Sequence, residues 1–165
     1  MNKVIEQLNQ IQADALALSV QFHNYHWNVK GTQFLAIHKY TEEAYDDMGE
    51  LFDETAERAI QLGGKAIVCP KAITERSKTP KVEKDSFTCK EVVELIKKDY
   101  EYLLGEFRKL AKLSDEAGDR ATGAICDDYI GKYEKKLFGC FLQHLLNKFG
   151  AKCTKFNLIY TLYYL

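Results

Sequence analysis

Two histidines and a run of carboxylates carry the chemistry of this sequence. His26 and His38 flank a tight Lys30–Gly31 break, and after His38 come Glu42, Glu43, Asp46, Asp47, Glu50, Asp53, Glu54 and Glu57. Wound as an ideal helix at ~100° and ~1.5 Å per residue, Glu42, Asp53 and Glu57 fall at ~40°, ~60° and ~100° from His38, so the four share one face. Imidazole with carboxylates is a donor set expected for iron, and Zn, Mn and Co accept the same set. Along one helix axis His38 and Asp53 are ~22 Å apart, whereas metal–ligand bonds are only ~2 Å long. Either the two groups belong to separate sites, or a second chain brings its Asp53 and Glu57 to His26, His38 and Glu42. An antiparallel two-fold contact would do this and create two equivalent sites. The plainer alternative is a solvated acidic helix face beside two incidental histidines, since such faces are common. The intersubunit metal site is the favoured reading.

These side chains need long, stiff elements to hold them. From Val4 to Val29, apolar residues recur at Val4, Leu8, Ile11, Ala15, Leu18, Phe22 and Tyr25, the stripe of an amphipathic helix. His26 falls near its end, beside Trp27, which reads as a core or interface aromatic. His23, one turn earlier, reads as a hydrogen-bonded structural histidine. Gly31 ends this helix, and a second runs from about Phe34 to Leu62 before Gly63–Gly64 stops it. Residues 65–87 form a long connection containing both prolines, Pro70 and Pro80, and a short helix is expected there at Lys71–Arg76. A third helix opens on Thr88 with Glu91 completing a capping box, and extends to about Leu113. Ser114–Asp119 then breaks the chain before a fourth helix to about Lys148. The sum is an all-α fold, with a helical domain over 1–149 and a C-terminal tail over 150–165.

Composition agrees with a single globular domain. Charged residues make up 28%, hydrophobic residues 46%, and the formal net charge is −1. No apolar run is long enough to span a bilayer, and MNKVIEQLNQIQADAL lacks the layout of a signal peptide, so a cytoplasmic location and no membrane partner are expected. Five cysteines (Cys69, Cys89, Cys126, Cys140 and Cys153) form no CxxC pair. Their odd number fits scattered reduced thiols, with Cys126 and Cys140 acting as small buried hydrophobes.

The pattern resembles a specific family. H-W-N-V-K-G from His26 to Gly31, F-x-x-x-H from Phe34 to His38, the D-x-x-x-E-R of Asp53, Glu57 and Arg58, and the Leu62–Gly63–Gly64 stop are similar to the Dps miniferritins, the DNA-binding proteins from starved cells. The similarity runs from about residue 5 to 147. It implies a ferritin-like four-helix bundle with a short crossover helix, assembling into a hollow homo-oligomer, a dodecamer. It also implies ferroxidase sites at two-fold interfaces, with His26, His38 and Glu42 from one subunit and Asp53 and Glu57 from its partner. The implied activity is oxidation of Fe2+, by hydrogen peroxide in preference to oxygen, and storage of Fe3+ mineral in the cage as protection against oxidative stress. Glu42 stands where the family pattern has Asp, which keeps the charge and adds a methylene. Asp115, Gly118, Asp119 and Thr122 match a region that lines acidic three-fold pores in the family. No E-x-x-H pair occurs, so the di-iron centre of a classical ferritin bundle is not expected.

The alternative is a nucleoid-associated protein whose main work is DNA compaction, with secondary or lost ferroxidase activity. Lys135, Lys136, Lys148, Lys152 and Lys155 follow the last acid, Glu134, which supports DNA contact. The net charge and the apolar ending FNLIYTLYYL weigh against it.

Overall fold

A computed structural model describes residues 1–149, with side chains through Cys140. The tail 150–165 lies outside the described residues. Two long helices, α1 (Asn2–Asn28) and α2 (Phe34–Gln61), form one antiparallel pair, and α4 (Cys89–Ala117) and α5 (Arg120–Phe149) form the other. The short helix α3 (Pro70–Arg76) sits in the crossover between them and packs on α1. The expected crossover helix is therefore present, opening on Pro70 at a position where a missing N–H costs nothing. Two short strands, β1 (Val29–Lys30) and β2 (Phe87–Thr88), pair in parallel, setting Val29 against Phe87 and Lys30 against Thr88. This bridge ties the α1–α2 turn to the start of α4.

All seven apolar positions of the α1 stripe are buried, from Val4 at 1% exposed to Tyr25 at 0%. They meet Ala44, Met48 and Leu51 of α2, Ile96, Tyr100, Leu103 and Phe107 of α4, and Cys126, Tyr129 and Tyr133 of α5. At ~25 cal/mol per Å2 of apolar surface, this shared core is the main force holding the bundle. Cys126 and Cys140 are buried as expected, and burial pushes the Cys126 thiol up to about 12.

The long connection is held down by buried polar groups of α1. Asp14, fully buried, accepts from the Lys78 backbone N–H (2.8 Å), the Tyr102 hydroxyl (2.8 Å) and the Gln10 amide (3.0 Å). Gln12 bonds both the N–H and the C=O of Ile67. Thr88 and Glu91 make the reciprocal capping box, the Glu91 N–H donating to Thr88 Oγ1 and the Thr88 N–H to Glu91 Oε2. With Lys84 added, these donors hold the Glu91 carboxyl down at about 2.

Two helix ends depend on glycine. A Cβ on Gly64 would stand 2.6 Å from Ile5 Cγ2 and 2.9 Å from the Ala59 carbonyl. The α4 helix also runs past the expected break at Ser114, because the Ser114 hydroxyl donates back to the Ala111 carbonyl (2.7 Å) inside the helix. It ends at Gly118, whose φ of +68° is the left-handed conformation that closes the last turn.

Candidate metal centre

His26 and His38 come from different helices and meet across the α1–α2 turn, with ring centroids 3.5 Å apart and planes tilted by 21°. Each ring is held by the other residue's backbone. His26 Nδ1 lies 2.9 Å from the His38 carbonyl, and His38 Nδ1 lies 3.0 Å from the His26 carbonyl. A carbonyl only accepts, so both Nδ1 atoms carry a proton, and in the neutral ring Nε2 is then the atom with the lone pair. Fixing one ring nitrogen on a carbonyl to present the other is how proteins prepare a metal-binding histidine. Thr41, buried beneath the pair, donates to the Ile37 and His38 carbonyls and offers its oxygen to His26 Nδ1 at 3.2 Å. His26 is 9% exposed and His38 is half-buried, so the pair sits at the surface with its backing covered.

The carboxylates of α2 divide into two sets. Asp47 is bound by Lys136 (2.7 Å) and Lys132 (2.9 Å) of α5. Burial alone would raise its carboxyl, but the two ammonium groups outweigh that and hold it below the usual range. Glu54 accepts from the Tyr129 hydroxyl at 2.6 Å. Glu42, Asp53 and Glu57 are exposed and take part in no ion pair or hydrogen bond among the described residues. The three acids expected as ligands are thus among those that packing leaves free, together with Glu43, Asp46 and Glu50. Within one protomer the described residues contain no group of three metal donors. The structure joins His26 to His38 and places Glu42 one turn further along α2, with Asp53 and Glu57 on the distal half of that helix.

Sequence reasoning missed Tyr45. Its ring stacks on His23 at 3.8 Å and meets His26 edge-on at 5.3 Å. Partial desolvation, with Glu42 and Asp46 nearby, raises its phenol above the ordinary value. The signal was available, since Tyr45 lies seven residues after His38 and so on the same helix face. His23 is structural as expected, its Nδ1 donating to the Ser19 carbonyl at 2.7 Å. Of the two readings of Trp27, core or interface, its 68% exposure in the protomer removes the first.

The acidic region after α4 is largely committed to structure. Asp119 accepts from the Thr122 N–H and hydroxyl and from Arg58 Nη2 at 2.7 Å. Burial would raise its carboxyl, but Thr122 and Arg58 hold it below the usual range. Asp115 remains exposed.

A family model described as a ferritin-like domain matches residues 5–149. The DNA protection during starvation protein 2 of Bacillus anthracis is 39% identical, over 90% of this chain and 100% of that protein. The DNA protection during starvation protein of Helicobacter pylori is 38% identical, over 82% of this chain and 94% of that protein. Among solved structures, Helicobacter cinaedi CAIP superposes with a TM-score of 0.83 at 39% identity, covering 85% of this chain and 98% of that one.

Proposed function

The chain belongs to the ferritin-like family, among the Dps proteins, and from that premise we propose that it oxidises Fe2+ at sites shared between two subunits and stores Fe3+ mineral inside a hollow dodecamer. The observation that supports this reading is the reciprocal His26–His38 clasp, which occupies both Nδ1 atoms and leaves the Nε2 atoms for a metal, with the unpaired carboxylate of Glu42 one turn further along α2. The partner's Asp53 and Glu57 complete the set. The imidazoles are neutral donors, and the three carboxylates supply the negative charge that favours Fe3+ over Fe2+. Iron here is substrate and cargo. Two ferrous ions give one electron each to hydrogen peroxide, which takes up two protons and leaves as two waters. Iron and peroxide are removed together, which protects DNA without requiring contact with it. Among the described residues no helix is long and apolar enough to cross a membrane, and the proposed place of action is the cytoplasm.

The test is anaerobic loading of the assembled protein with Fe2+, followed by peroxide and, separately, by oxygen. Fast oxidation with peroxide and a soluble iron-bearing particle are expected from the native chain. The double variant His26→Ala with His38→Ala should remain assembled and lose the fast phase. If that variant oxidises iron at the native rate, the site lies elsewhere.

A further inference from the structure

The exposed face of α2 holds three residues that the ligand set does not explain. Leu35 and Ile60 are 79% and 57% exposed. Gly49 stands in mid-helix with nothing within 4 Å of where a Cβ would be. On an ideal helix they fall at ~60°, ~40° and ~20° from His38, inside the arc bounded by His38 and Glu57. Within one protomer, glycine at Gly49 only lowers helix propensity, and no neighbour crowds it. Two bare aliphatic side chains on an acidic face are likewise unaccounted for.

A second copy accounts for all three through one register. The antiparallel pairing that sets His38 against the partner's Glu57 also sets Glu42 against the partner's Asp53. It sets Leu35 against the partner's Ile60 and Gly49 against the partner's Asp46. Each of these pairs is centred on one point, between Asp47 and Met48. A slip of one turn in one direction sets Leu35 against the partner's Gly64, outside the helix. A slip in the other direction sets Ile60 against the partner's Gly31, outside the helix.

We propose that two α2 helices cross in this register, with Leu35 and the partner's Ile60 forming an apolar clasp at the outer end of each shared site. Gly49 is the point of close approach that leaves room for the partner's Asp46. This inference rests on the shared-site reading above and adds to it the positioning residues that set its geometry. The clasp keeps water from one side of the carboxylates, where their attraction for a cation strengthens. Both clasp residues are exposed in the protomer, so changing them leaves the bundle core untouched.

The experiment is a reciprocal charge cycle. Leu35→Lys and Ile60→Glu are made singly and together, and dissociation of the iron-free particle on dilution is followed by sedimentation velocity. Along α2 the two positions are ~37 Å apart, so coupling between them can arise only between copies. Each single variant should weaken the assembly by ~10-fold or more, and the double variant should recover most of that loss. Losses that simply add overturn the register. Gly49→Leu should stay helical by circular dichroism and fail to assemble, and normal assembly of this variant overturns the crossing point. The readout needs no iron. A coupled cycle in a protein that does not oxidise Fe2+ would leave the register standing and sink the ferroxidase reading.

Discussion

Among the described residues no cation bonds to Asp99, a carboxylate in the middle of the bundle. It is 1% exposed, accepts from Gln21 Nε2 and the Tyr25 hydroxyl at 3.1 Å each, and is pushed up to about 7. Burial is the cause, only partly offset by those two hydrogen bonds and by Lys98. In the unfolded chain the same group titrates at ~3.9. Between ~4 and ~7 the folded protein therefore holds a proton that unfolding releases, so stability falls as pH rises through that window and levels off above it. Asp99→Asn keeps an acceptor for Gln21 and can donate to the Tyr25 oxygen. The variant should be more stable than the native chain at pH ~8 by roughly 2–4 kcal/mol, with the difference vanishing near pH ~4. Thermal midpoints of the two proteins across that range check it, and a difference independent of pH would refute the assignment.

At the scale of the helix, α2 works as two strips. One, with Asp47 and Glu54, faces α5 and holds the two helix pairs together. The other, with His38, Glu42, Asp53 and Glu57, faces outward. Asp47→Ala would leave the Lys136 ammonium, only 12% exposed, without its nearest anion, at a cost of ~2 kcal/mol. The exposed Glu43→Ala should change stability by less than ~0.5 kcal/mol. Chemical denaturation separates the two, and an equal response would place Asp47 outside the packing. Much of this was legible in the sequence. Helical spacing located α1 and α2, the face shared by His38, Glu42, Asp53 and Glu57, and the α4 capping box, because those signals are local. Asp47 lay off the His38 face, but its partners could not be read, because Lys132 and Lys136 lie on α5, far along the chain. Ser114 looked like a helix breaker because a serine that bonds back into its own helix has the same letter as one that ends it. Trp27 read as core or interface, and only packing shows that it lies outside the protomer's core.

At the scale of the particle, charge decides how the cage meets DNA. Each chain carries a formal net charge of −1, with an isoelectric point near 6.4, and assembly multiplies whatever sign the chain has. Above that pH the particle and the phosphate backbone repel each other. Below it, protonated histidines and carboxylates leave the lysines in excess, and non-specific attachment through released counterions becomes favourable. The cage should therefore retard duplex DNA in a gel at pH ~5.5 and low salt, release it as salt is raised, and leave it unshifted at pH ~8. Such a result would make direct DNA contact an acid-pH behaviour of the whole shell, and iron oxidation the means of protection near neutral pH. A shift of equal strength at pH ~8 would point instead to a local basic surface that net charge does not govern. Removing residues 150–165, which carry Lys152 and Lys155, would then test whether the lysines beyond the bundle provide it.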